Sequence, residues 1–245
     1  MDLVDTQRPP LAEGARPIPP SSRAPAGRLR AGALRAAAAL ALVALSVQAW
    51  DPGRIAASAR PYGPAAEAGA RALQETMKSV VGEEETQQLR AVNDFFNRRI
   101  RYAEDIDNWG QIDYWASPLE TLSKGAGDCE DFAIAKYFTL VALGMPDAKL
   151  RMVYVRANIA GSTAGPVPHM VLAYYARPDA EPLVLDNLEP RIAPAGARPD
   201  LSPVFSFNAE GLWQGVGSIR AAGDPLVRLS HWREVLARAR QEGFQ

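Results

Sequence analysis

Apolar residues recur along the chain with three different rhythms, and each rhythm predicts a different kind of structure. Between residues 83 and 101 they fall three or four apart. Leu89, Val92, Phe96 and Ile100 form one stripe, which predicts a helix with a single buried face. Glu83, Glu84 and Glu85 stand at its start and Arg98, Arg99 and Arg101 at its end, each sign complementing the helix dipole. Residues 65–80, behind a Pro- and Gly-containing lead at 51–64, have helix-forming composition. A third helix is predicted from Asp128 to about Leu143, stopped by Gly144 and Pro146. Phe132, Ala135, Phe138 and Ala142 make its apolar face, and Ile134, Leu140, Val141 and Leu143 widen it, as in a central helix. Residues 102–124 read as a long ordered loop or short helical turns, anchored by Trp109, Tyr114 and Trp115.

The second rhythm is that of strands. Residues 150–157, 169–176 and 183–188 are predicted strands. A Gly/Ser/Pro loop at 158–168 and a turn at Arg177-Pro178-Asp179 separate them. Residues 190–203, rich in Pro and Ala, read as a surface excursion. A strand pair follows at 204–207 and 212–214, and helical spacing returns at 229–240 with Trp232, Val235 and Leu236. Helices first and antiparallel strands after indicate an α+β domain. No internal repeat is present.

The third rhythm lies near the start. Residues 1–30 are rich in Pro, Arg, Ser and Gly and cannot form a core. Arg28, Arg30 and Arg35 then precede an apolar run at 36–47, too short to cross a bilayer as a helix, which takes roughly 20 residues. With the small-residue site Val47-Gln48-Ala49, these are the three parts of a secretory signal. An uncleaved anchor and a buried Ala-rich helix are the alternatives. The leader ahead of Arg28 is long for a signal, which leaves room for a start downstream of Met1. The expected organisation is a leader at 1–49 and a catalytic domain at 50–245.

Composition narrows the chemistry. The chain has 245 residues, a formal net charge of -1 and one cysteine. Near-neutral charge removes the electrostatic case for a nucleic-acid binder. One cysteine excludes an intramolecular disulfide and a Cys-based zinc site. No Gly-rich phosphate loop precedes a helix. Six Arg and three acids lie in residues 1–49, so removal of the leader leaves 196 residues with a net charge near -4. Export carries a lone thiol into an oxidising compartment, where it is chemically exposed.

That thiol, Cys129, lies in Gly125-Ala126-Gly127-Asp128-Cys129-Glu130-Asp131-Phe132. Asp128 suits an N-cap, and Asp131 is placed to reach back as in a capping box. Cys129 would then open the helix, where free N–H groups and the dipole lower a thiol pKa. A nucleophile needs a base. Of two histidines, His231 accompanies Trp232 in the last helix and reads as structural, whereas His169 opens a strand behind a flexible loop. Asp186, an acid in the apolar run Pro182-Leu183-Val184-Leu185, is suited to orient it. An even hairpin loop, such as the four residues 176–179, would place His169 opposite Asp186, and an odd one would part them. A cysteine at a helix start, a lone histidine and an acid at a strand end each have a structural explanation as well. Their joint order on helix, strand and next strand favours catalysis.

The segments Gly-Asp-Cys-Glu-Asp-Phe-Ala-Ile-Ala-Lys-Tyr (127–137), Pro-His-Met-Val-Leu (168–172) and Val-Leu-Asp-Asn-Leu (184–188) closely resemble the bacterial transglutaminase-like cysteine proteinases, in particular their periplasmic LapG-type branch. The likeness runs from about Asn93 to Trp213. It implies a papain-like, transglutaminase-like core with Cys129 as nucleophile, His169 as base and acid, and Asp186 orienting it. It also implies calcium, cleavage of a large surface adhesin near its N-terminus at a di-alanine site, and biofilm dispersal. Control by the periplasmic domain of an inner-membrane cyclic-di-GMP receptor is implied too. The calcium expectation has a physical side. Asp128, Glu130 and Asp131 around a thiolate would raise its pKa, and a hard cation held by their oxygens would cancel the repulsion. Without the likeness, the three read as helix-start acids. The competing functions are a transglutaminase or amidase on the same triad, and a non-catalytic calcium-binding interaction module.

Overall fold

The computed structural model describes residues 50–161, 163, 165–217 and 229–244. The expected leader, with its apolar run at 36–47, lies outside them. Seven helices and eight strands are found among the described residues. The lead at 51–64 turns out to be helical. Asp51 accepts the Arg54 N–H at 3.0 Å and Pro52 opens α1 (Pro52–Ala59), the N-cap and first-turn chemistry that starts a helix. Next come α2 (Pro64–Val80) and α3 (Glu85–Arg99), and the predicted stripe of Leu89, Val92, Phe96 and Ile100 is buried. The stretch 102–124 resolves into two short helices, α4 (Asp105–Trp109) and α5 (Pro118–Lys124). A two-residue parallel ladder binds it to the next segment, with β1 (Arg101–Tyr102) pairing β2 (Ala126–Gly127). Helix α6 (Cys129–Ala142) follows at once, and residues 131–140 are all buried, as its all-round apolarity predicts.

Six antiparallel strands form the sheet: β3 (Leu150–Ala157), β4 (Val167–Tyr174), β5 (Leu183–Leu185), β6 (Ala193–Pro194), β7 (Leu201–Phe207) and β8 (Leu212–Gln214), in the order β6-β5-β4-β3-β7-β8. Helix α7 (Ser230–Glu242) closes the described chain. Alternation along β3 and β4 sends Met152, Met170, Leu172 and Tyr174 into the core shared with the helices. Val153, Val155, Val171 and Ala173 enter a smaller apolar cluster. The fold is α+β, as expected. The residues between 190 and 203 correct the expectation of a plain surface excursion. They carry the edge strand β6 and a 3-10 turn at Ala195–Ala197, and they bring Arg198 into the interior, 7% exposed. Among the described residues no helix is long and apolar enough to cross a membrane.

Candidate active site

The β4–β5 register fixes the relation of His169 to Asp186. Leu172 pairs with Leu185 and Tyr174 with Leu183, so the loop spans the eight residues 175–182. Eight is even, which keeps the parity, but the register sits two residues from the one a four-residue loop would give. Continued, it places Asp186 opposite Val171, diagonal to His169 on the same face. The His169 ring bridges that diagonal, with Nε2 2.8 Å from Asp186 Oδ1. Both side chains are buried.

Asp186 is held from three sides. Besides His169, it accepts from the Leu188 N–H at 3.0 Å and from Arg198 Nη2 at 2.7 Å, and Arg198 also binds Asp200. Burial by itself would raise this carboxyl. The hydrogen bond and charge of His169, the Leu188 amide and Arg198 outweigh it and hold Asp186 at about 2. Arg198 was not singled out in the sequence, because its role depends on a return of the chain by β6. Asn97 Nδ2 also donates to the Asp186 backbone carbonyl at 2.7 Å, tying the turn to α3. Lys136, two turns beyond Cys129 on α6, is wholly buried with no hydrogen-bond partner for Nζ among the described residues. Burial pushes it down to about 7, against the charge of Asp186.

Cys129 is the first residue of α6, where the sequence puts it, but its electrostatics reverse the helix-start expectation. Burial first, then the charge and hydrogen bond of Glu130 and the charge of Asp128, push the thiol up. The backbone amide of Met170, next to His169, pulls the other way. The side chain that receives the thiol is Glu130, with Cys129 Sγ donating to Oε2 at 3.0 Å. The expected capping box is also absent. Asp128 occupies the N-cap position in extended conformation but makes no side-chain cap, and Asp131 Oδ1 turns to the Ala116 N–H at 2.8 Å.

Asp128, Glu130 and Asp131 do not converge on one point. Asp128 and Asp131 gather with Asp105, while Glu130 gathers with Asp105 and Asp113, the ligand atoms of each group lying within 4.8 Å of one another. Asp105 belongs to both groups and was missed, although 104–113 is dense in acids. The β1–β2 ladder brings it in, with Ala103 N donating to Gly127 O at 3.0 Å and Asn108 Nδ2 to Ala126 O at 3.0 Å. Asp105 and Asp131 each use one oxygen on a backbone amide, of Tyr114 and Ala116 respectively. Their other oxygens, Asp105 Oδ1 and Asp131 Oδ2, and Asp128 Oδ1 are buried without a hydrogen-bond partner. Burial first, then the charges of Glu130, Asp131 and Asp105, push Asp128 up to about 10. Burial outweighs the Tyr114 amide to put Asp105 at about 6. Converging buried oxygens that lack protein partners fit a hard divalent cation, whose ligands are oxygens.

The aromatic anchors pack on neighbouring side chains. Trp115 stacks on Phe207 at 5.8 Å, and Trp109 packs on Tyr114 at 4.6 Å beneath the Lys124 ammonium. His231 lies half-exposed on α7, with Nε2 3.8 Å from Asp113 Oδ2.

A helix-borne cysteine beside a sheet that carries a His–Asp pair defines the class of papain-like and transglutaminase-like enzymes. The chain belongs to the bacterial transglutaminase-like cysteine proteinase family, whose profile matches residues 65–198, and it is accordingly a cysteine protease. Solved structures of LapG from Legionella pneumophila are similar over nearly their whole length. The EGTA-treated form is 41% identical with a TM-score of 0.66, covering 77% of this chain and 97% of that one. The calcium-bound form is 40% identical with a TM-score of 0.66, covering 77% and 98%. No curated protein matches significantly.

Proposed function

We propose that the chain is a calcium-dependent endopeptidase with Cys129 as nucleophile, His169 as general base and acid, and Asp186 as the residue that orients the imidazole. The observation that carries the assignment is the buried His169–Asp186 hydrogen bond, backed by Arg198, on the strand that packs against the helix opened by the chain's single cysteine. With Nε2 engaged by Asp186, Nδ1 is the nitrogen left to take the thiol proton. The thiolate attacks the scissile carbonyl carbon. His169 returns the proton to the leaving amine as the C–N bond breaks, leaving an acyl thioester on Cys129. A water deprotonated by His169 hydrolyses that thioester and restores the thiol.

Asp105, Asp128 and Asp131 would hold the cation, with Glu130 and Asp113 beside them. Bound there, calcium supplies positive charge that offsets the carboxylates around the thiol. The calcium-bound LapG relative supports this reading. The likeness to the LapG type extends the proposal to a periplasmic enzyme exported by its N-terminal signal. Its substrate is then a large surface adhesin, cut near the N-terminus to promote biofilm dispersal. The periplasmic domain of an inner-membrane cyclic-di-GMP receptor restrains it.

Cleavage of a di-alanine reporter peptide tests the assignment. The wild-type protein cuts it in calcium and loses the activity in excess EGTA. Cys129→Ala and His169→Ala lose at least about 10³-fold, as removal of a nucleophile or its base does. Full cleavage by Cys129→Ala sinks the triad, and unchanged cleavage in EGTA sinks the calcium requirement. Amine incorporation in place of hydrolysis, read in the same assay, marks an acyl transferase.

A further inference from the structure

One side chain is shared between the thiol and the acid cluster. Glu130 Oε2 accepts the Cys129 Sγ–H hydrogen bond at 3.0 Å. A Glu130 carboxylate oxygen also lies within 4.8 Å of oxygens from Asp105 and Asp113. These uses compete. A carboxylate drawn onto a divalent cation gives its lone pairs and its charge to the ion, and it is then a poor acceptor for a thiol. While Glu130 holds the S–H proton, that proton is not aimed at His169, the base that must receive it. Three buried oxygens without partners, from Asp105, Asp128 and Asp131, lie beside this group, so a cation would act on Glu130 at short range.

We propose that Glu130 is a positioning residue that exchanges between Cys129 and the bound cation. Without the cation it latches the thiol proton away from His169. With the cation, Glu130 swings onto the metal and the thiol is released to the imidazole. The inference rests on the calcium reading above and adds how calcium reaches the nucleophile: by removing a competing acceptor.

The chain has one cysteine, so alkylation by iodoacetamide, followed by mass, reports Cys129 alone. Rates are compared at one pH in excess EGTA and in calcium chloride. In the wild type, calcium speeds alkylation roughly ten-fold, the scale of a lost hydrogen bond to a charged group. Glu130→Gln in EGTA already alkylates several-fold faster than wild type in EGTA. Calcium accelerates the variant clearly less than the wild type, because a neutral amide holds the thiol weakly and only the charge offset at Asp128 remains. A Glu130→Gln rate in EGTA as slow as wild type overturns the latch, and so does full acceleration by calcium in that variant.

A second measurement leaves Glu130 in place. By reciprocity, removing the competing thiol in Cys129→Ala tightens calcium binding several-fold in calorimetry. An unchanged affinity overturns the exchange. Calorimetry also separates the two readings. A wild-type protein that binds no calcium defeats both, whereas one that binds calcium with no change in alkylation defeats the latch alone. Neither measurement depends on peptide cleavage.

Discussion

Asp186 is a carboxylate only 1% exposed, ionised because three donors surround it. Removing one donor from a buried charge is costly, so Arg198→Met is expected to destabilise the fold by about 3 kcal/mol in urea unfolding. It also lowers kcat by loosening the group that orients His169. Lysine does not restore it, because a point charge cannot serve Asp186 and Asp200 together as the guanidinium fork does. The pH dependence follows from the depressed value. Stability contributed by Asp186 is fully present above the unfolded value near 4 and is lost as pH falls through about 2. In Arg198→Met the loss begins at higher pH, which acid-unfolding midpoints will show. Gly127 matters for room rather than for a special φ. A Cβ there would lie 2.6 Å from Asp131 Oδ2 and 2.7 Å from Asp131 Cβ. The whole Asp131 side chain must move to admit it. Gly127→Ala is expected to cost about 1–3 kcal/mol and to weaken calcium binding measurably in calorimetry.

At the scale of elements, the C-terminal helix braces the site from behind. Ser117 caps α5 in a capping box with Glu120, and Glu242 of α7 accepts from the Ser117 hydroxyl and from the Leu119 N–H at 3.1 Å. Arg238 of α7 reaches Glu120 at 3.1 Å and the Trp115 carbonyl. The segment so clamped includes Ala116, whose amide holds Asp131. Glu242 is pushed up to about 7, chiefly by burial, although Ser117 and Leu119 pull it down. An acid whose folded value is raised favours the fold while protonated. Its contribution therefore falls as pH rises from the unfolded value near 4.3 to about 7. Glu242→Gln removes that slope, and the gap in Tm between variant and wild type is expected to move in favour of the variant from pH 5 to 8. A parallel pH dependence of the two proteins would refute this account of Glu242. The helix stripe on α3 and the all-round apolarity of α6 were readable because period alone reports burial. The short helix α1 was not, since five to eight residues carry too little period to decide. For the same reason 102–124 could be read only as a loop or short helical turns, the second of which α4 and α5 bear out.

For the whole molecule, the acid cluster couples metal, pH and stability. Asp105 at about 6 and Asp128 at about 10 have raised values, so the metal-free fold loses stability as pH climbs from about 4 through those values. Calcium favours the ionised acids, and its stabilisation is expected to grow with pH over that window. At a hundred times its Kd, calcium adds about 2.7 kcal/mol, or roughly 5–10 °C in Tm for a domain of this size. A Tm difference between calcium and EGTA that does not widen from pH 5 to 8 would contradict the coupling. The sequence by itself determined the α+β order of elements, the central place of α6, and Cys129, His169 and Asp186 as candidates. Those properties follow from local period, helix-start chemistry and polar residues stranded in apolar runs. Only the tertiary structure decided which acids face one another, because the β1–β2 ladder and the return through β6 join residues far apart in sequence. It brought Asp105 to Asp128 and Asp131, seated Arg198 on Asp186, and gave the thiol to Glu130. Charges interact through space, and no local pattern records which distant charge burial will place beside them.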